Sequence, residues 1–248
     1  MTIPREWVLP DWPAPPRVCA FTTTRAGGVS TGEFASMNLG ASSGDEAGNV
    51  ARNRLVVREA LPSMPRFMKQ VHGTSVADLD RMDDADNATA DAAVVSQPGR
   101  VAVVLTADCM PLLLCDDAGT RVAVAHAGWR GMAAGVIENT VQAMRGEPSR
   151  LLAWMGPAIG PQVFEVGPEV REAFMAVDPE AAAAFRQHKP GKFLADLYRL
   201  ARQRLARAGV ANVSGGGFCT YTEADRFFSY RRVQASGRMG TFIWIEPR

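Results

Sequence analysis

Residues 107–129 read ADCMPLLLCDDAGTRVAVAHAGW, and the fold turns on this stretch. Two apolar runs, 111–115 and 121–126, flank DDAGT, whose Asp, Gly and Thr are turn formers. The runs should therefore pair as an antiparallel hairpin. With Cys115 set opposite Arg121, Met110 faces His126 and Cys109 faces Ala127. Cys109 and His126 then sit at the open end, on neighbouring cross-strand positions about 5 Å apart at Cβ. That spacing lets both reach one metal ion at about 2.0–2.3 Å, and a one-residue slip still leaves them close. Cys115 competes for the ligand role, but the hairpin puts it near the turn, where it reads as a small buried hydrophobe.

Histidine is scarce: only His72, His126 and His188 occur. His188, in RQHKPGK, reads as an exposed loop residue. His72, in QVHGT at the end of an apolar run, is the remaining residue that could close a site with Cys109 and His126. Three ligands of this type suit Zn²⁺ and leave a fourth position for water, whose pKa zinc lowers to about 7. Copper is the alternative, because imidazole and thiolate suit it too.

Working outward, further strand-like runs lie at 17–23, 67–72, 75–79, 92–95, 101–106, 151–155, 213–218 and 240–245, rich in Val, Leu, Ile, Phe and Thr. Helical periodicity marks 49–61, 132–144, 168–176 and 193–208, the last with an apolar stripe and Gly209 as its stop. Long loop signals fall at 22–44, 83–90 and 156–168. Cys19 and Cys219 read as strand-core residues. Strands interspersed with helices, without repeats or a linker, indicate an α/β fold with mixed sheets flanked by helices, in one domain over 1–248.

Composition narrows the function. Twenty-seven basic residues, almost all Arg, against 26 acidic ones give a net charge of +1; a nucleic-acid footprint would show a basic excess. No stretch approaches the ~20 apolar residues of a membrane span. The N-terminal MTIPREWVLPDWPAPP lacks the basic start and apolar run of a signal peptide, so a cytoplasmic location is expected. In that compartment four dispersed cysteines are better read as thiols than as disulfides.

The motifs TTRAGGVSTGEFASMNLG, KQVHGT, TADCMPLLLCD, AHAGWRG, GPAIGPQVFEVG and FFSYRR...GRMGTFIWI stand in order from about Thr22 to Ile245. Together they resemble the YfiH family, also called polyphenol oxidase or laccase-domain proteins, or YfiH-type purine nucleoside phosphorylases. The resemblance implies an α/β/β/α arrangement and a zinc site formed by the His of QVHG (His72), the Cys of ADC (Cys109) and the His of AHAGWRG (His126). It implies phosphorolysis of adenosine, inosine, guanosine or methylthioadenosine, and deamination of adenosine. Some members are described instead as copper polyphenol oxidases, or as editors that remove a wrong amino acid from a UDP-muramoyl peptidoglycan precursor. Many relatives carry Cys near the position of Gln162, and its absence here weakens a multicopper reading.

Other residues suit a nucleoside and phosphate. Arg25, in the glycine-rich TTTRAGGVSTG, offers a bidentate fork for phosphate. Asn38 and Gln70 are amides able to read a base edge or a ribose hydroxyl. Arg130, after AHAGW, could meet an anion or simply pack on Trp129. Asp108 adjoins a candidate ligand and could orient an imidazole; Glu165 is a conceivable acid–base group. The zinc deaminase signature, H-x-E with P-C-x-x-C, is absent, as are a Rossmann GxGxxG and a P-loop. The leading expectation is a zinc-dependent purine nucleoside enzyme. Its rivals are a zinc amidase acting on a muramoyl amino acid, a copper phenol oxidase, and a binding protein with a structural metal.

Overall fold

In the computed structural model, which describes residues 3–82 and 88–247, the hairpin is present as β5 (Met110–Asp116) and β6 (Val122–Ala127). Its register differs from the expected one by a residue: Cys115 pairs with Val122, Pro111 with His126 and Met110 with Ala127. Asp116, not Cys115, closes against Arg121. Its N–H donates to the Arg121 carbonyl at 3.1 Å, and its carboxylate accepts from the Thr120 and Arg121 N–H groups at 2.7 and 3.1 Å. Such a self-capped turn is a habit of Asp that hydrophobic patterning does not reveal.

The hairpin is the middle of a six-stranded sheet. Its order is β11 (Asn212–Gly215), β7 (Leu151–Met155), β5, β6, β3 (Ala92–Val95), β2 (Val76–Asp78). The two edge pairs are parallel and the inner pairs antiparallel. A second, antiparallel sheet runs β1 (Val18–Thr22), β12 (Met239–Ile245), β4 (Val101–Thr106). A third, small one joins β8 (Glu165–Val166), β10 (Lys192–Ala195) and β9 (Phe185–Lys189).

Alternation along each strand assigns the layers. From β5, Leu112 and Leu114 face one core with residues of α3 (Val136–Ala143), α4 (Pro168–Met175) and α5 (Leu197–Arg207), while Leu113 and Cys115 face another with Ala102, Val104 and Ile243 of the second sheet. The far side of that sheet, with Phe21, Val103, Phe242 and Trp244, packs on Val57 of α1 (Ala47–Arg58). The order is helix, sheet, sheet, helices, the expected α/β arrangement. Strands buried on both faces need apolar residues at every position, which is why they read as continuous runs.

Several sequence expectations change. The helix at 132–144 is two, α2 (Trp129–Ala134) and α3, broken at Gly135, whose φ of 106° and ψ of 25° end the first. The helix at 193–208 starts at Leu197: Phe193 and Leu194 belong to β10, and the Asp196 carboxylate caps the helix by accepting from Arg199 N–H at 2.9 Å. Segment 67–72 forms a single bridge, Lys69 to Thr89, with another from Arg66 to Ala102 just ahead of it. There the Gln70 amide stands in for a strand, donating to the Leu105 carbonyl at 2.8 Å and accepting from its N–H at 2.7 Å. His188 is exposed as expected but lies on β9, whose FRQHK carries no alternating apolar pattern. The 83–90 loop signal falls partly outside the described residues, and Cys219 sits in a loop rather than a strand.

A Cβ at Gly135 would meet only Glu138 Oε2, at 3.7 Å, so Gly135→Ala adds no clash and tests the backbone alone. It should destabilise the protein by about 1–2 kcal/mol, read as a lower urea midpoint with an unchanged slope.

Candidate metal centre

Cys109 stands in the bend between β4 and β5, His126 near the end of β6, and His72 in the loop ahead of β2. One donor atom from each of the three lies within 4.8 Å of the others, and no other such group of three occurs among the described residues. The two imidazole rings meet edge-on, 4.7 Å between centroids. The sequence could not show His72 reaching the other two; the fold brings it there.

One buried carboxylate arranges both histidines. Asp91, at the mouth of β3, is fully buried. It accepts from three successive backbone N–H groups, Val71 at 3.1, His72 at 2.9 and Gly73 at 2.7 Å, an anion in a backbone nest. That nest holds His72 at a φ of 58°, a left-handed conformation uncommon outside glycine. Asp91 also lies 2.8 Å from His126 Nδ1. With the Nδ1 proton given to Asp91, the His126 Nε2 lone pair is left for a metal. Burial raises the Asp91 pKa, but the His126 bond and the backbone donors outweigh it and hold the group below the ordinary range.

Burial also opposes ionisation of Cys109, yet the facing His126 and His72 draw its thiol down to about 6. For His126, burial disfavours the charge, but the Cys109 thiolate and Asp91 push it up to about 9. Both shifts favour a thiolate–imidazolium pair when no metal is bound. The donor set fits zinc, and the space around it is shaped for a close approach: a Cβ at Gly128 would fall 2.7 Å from Cys109 Sγ and 3.1 Å from His72 Nδ1.

These donors sit in a cleft of about 810 Å³. Its walls include four arginine–aromatic pairs: Arg54 over Phe67 at 3.7 Å, Arg130 over Trp129 at 4.4 Å, Arg231 over Phe164 at 5.2 Å and Arg238 over Tyr230 at 5.8 Å. Gln70 and Arg130 line it as expected, Gln70 with its amide committed to Leu105. Arg25 does not. Its Nε and Nη1 donate to the Ala35 and Ala224 carbonyls, both at 2.9 Å, clamping two loops. Asn38 is fully buried and organises the cleft rim. It accepts from the Gly40 and Arg238 N–H groups at 2.9 Å and donates to Ser43 and Asp45. Asp108 accepts from Thr220 Oγ1 at 2.6 Å and Arg231 N–H at 2.7 Å, so it pins the C-terminal loop. Glu165 lies in a surface ion pair with Lys189 at 3.2 Å. Cys115 is buried in the core, where burial pushes its thiol up to about 12.

A family model described as multi-copper polyphenol oxidoreductase laccase matches residues 19–246. The purine nucleoside phosphorylase YfiH of Escherichia coli (strain K12) is 54% identical over 240 residues, 96% of this chain and 98% of that protein. The chain belongs to this YfiH family. The purine nucleoside phosphorylase of Haemophilus influenzae is a more distant relative, 45% identical over 96% of this chain and 99% of its own length. Among solved structures, Neisseria meningitidis protein NMB0706 superposes with a TM-score of 0.93 at 47% identity, covering 98% of this chain and 100% of its own. YlmD from Geobacillus stearothermophilus gives 0.92 at 31% identity, covering 100% and 98%. The family's sheets and layers are those described above. No helix among the described residues is long and apolar enough to cross a membrane.

Asp91 escaped the sequence reading because an acid following DNATA resembles a loop residue; only its place just before a fully apolar strand hinted at burial. Asp91→Asn should leave the fold intact and weaken zinc binding about 10–100-fold, measured by competition with a chromophoric chelator. The thiolate–imidazolium pair sets a pH dependence. Between about 6 and about 9 the pair holds one proton that a metal must displace, so affinity should rise about tenfold per pH unit. The slope should steepen below that window and flatten above it, as read by the same competition across pH.

Proposed function

We propose that this chain is a zinc-dependent purine nucleoside phosphorylase, with His72, Cys109 and His126 as the metal ligands and adenosine deamination as a second activity. The observation that carries the reading is a Cys–His–His donor set opening into an arginine- and aromatic-walled cleft, in a chain 54% identical to a curated purine nucleoside phosphorylase.

The cleft supplies the parts such a reaction needs. Phe67, Trp129 and Tyr230 offer aromatic surface to a purine, with Tyr230 49% exposed and unburdened by core packing. The guanidinium groups beside those rings offer N–H donors suited to an anion. In phosphorolysis a phosphate oxygen forms the new bond to ribose C1′ as the C1′–N9 bond breaks. Its electron pair leaves on the base, which takes up a proton. In deamination, water adds its oxygen at C6 and ammonia departs. Zinc held at the cleft floor would supply Lewis acidity, which has an evident use in the second reaction. The chain's three histidines are too few for a multicopper cluster, which argues against the oxidase reading.

Zinc-loaded protein given adenosine should release adenine only when phosphate is present, and inosine without it, with products resolved chromatographically. Cys109→Ala should lower both by about 100-fold or more. No product from wild-type protein of confirmed zinc content would sink the nucleoside reading for adenosine and put amide hydrolysis of a muramoyl precursor first.

A further inference from the structure

We infer that the cleft carries a built oxyanion subsite, formed by Arg238 and Arg231 of the 229–238 loop with Lys69 and Arg130 from two other segments, and that its ligand is free orthophosphate. The identity of the anion rests on the phosphorylase reading; the subsite itself rests on charge and hydrogen bonding.

The chain as a whole is nearly neutral, at +1. Its cleft is not. Among the described residues, five cationic side chains line it, Arg54, Lys69, Arg130, Arg231 and Arg238, against a single carboxylate, Asp108. Asp108 is already engaged by Thr220 and by the Arg231 backbone. A concentration of one sign inside a concavity focuses its field on whatever enters.

The donors are also uncommitted. Among the described residues, the Lys69 ammonium and the Arg130 guanidinium have no protein acceptor; Arg130 is held by its ring stack on Trp129 alone. Arg231 uses Nη1 on the Glu165 carbonyl at 2.7 Å. Arg238 uses Nη1 on the Ser236 and Gly237 carbonyls, leaving Nε and Nη2 without a hydrogen-bond partner among the described residues.

Arg238 is placed by construction rather than left to swing. Its backbone N–H is fixed by the buried Asn38, and its stem passes over Gly40, where a Cβ would come within 2.7 Å of its Cγ. Burial works against its charge, which the neighbouring Cys109 and Asp108 partly offset. A half-buried guanidinium with a free N–H edge, facing the space that the candidate metal ligands also line, is suited to bidentate capture of a phosphate oxygen pair. Arg25, which sequence motifs favoured for this task, does not line the cleft and has Nε and Nη1 on loop carbonyls.

The test titrates zinc-loaded full-length protein with inorganic phosphate, and separately with UDP, by calorimetry. The proteins are wild type, Arg238→Gln, Arg238→Lys, Arg231→Gln and, as control, Arg199→Gln on the exposed face of α5. Zinc content and thermal midpoint verify folding. Wild type should bind orthophosphate, more weakly as salt rises. Arg238→Gln should weaken it by about tenfold or more and Arg231→Gln by about threefold, with Arg238→Lys intermediate and Arg199→Gln unchanged. In the phosphorolysis assay KM for phosphate should rise by the same factors while KM for adenosine moves less than about twofold. Phosphate binding within twofold of wild type in both Arg238 variants and in Arg231→Gln overturns the subsite, as does wild type that binds UDP but not orthophosphate. Adenine formation with an unaltered phosphate KM would leave the phosphorylase reading standing and the subsite refuted. Phosphate binding lost in the variants without any adenine from wild type would do the reverse.

Discussion

Asp91 is the point on which the candidate centre depends. Its carboxylate sits where water is excluded and receives four hydrogen bonds, three from the backbone of 71–73 and one from His126. Each answers a separate need. The backbone bonds hold the loop of His72 in a conformation that this residue would not favour alone, and the ring bond fixes which nitrogen of His126 is available. A buried anion is costly unless it is fully paired, so the same pairing that removes the cost also locks the geometry of two histidines on segments far apart in the chain.

The strands that carry this constellation are rigid for an equally simple reason. β5 and β6 are covered on both faces, by helices on one side and by a second sheet on the other. Displacing either strand would open voids in two cores together, and close-packed interiors resist that strongly. Cys109 and His126 therefore sit at the end of strands packed on both faces. His72 arrives on a loop, with Asp91 as the bridge.

Around the centre the protein makes repeated use of arginine on aromatic rings. A guanidinium set over a ring gives up little hydration. Four such pairs in one cleft produce walls that are at once aromatic and cationic. The three residues that hold loops instead, Arg25, Asn38 and Asp108, show how the same polar side chains serve architecture when backbone carbonyls and N–H groups are nearer than the cleft.

The sequence by itself determined what depends on local pattern. Continuous apolar runs gave the doubly covered strands, and DDAGT gave the hairpin. The ends of that hairpin placed Cys109 beside His126 even with the register a residue off, because a slip of one position moves a side chain by only a few ångströms. The family resemblance supplied His72. Tertiary structure decided what depends on partners remote in sequence. It alone brought Asp91 under both histidines, used Gln70 as a substitute strand, and drew Arg25 onto loop carbonyls while leaving Arg238 facing the cleft. It also set Gly135 to break a helix whose periodicity ran on without interruption. Periodicity reports which face of an element is apolar; it carries no record of which carbonyl or N–H group an isolated polar side chain will meet once distant loops converge.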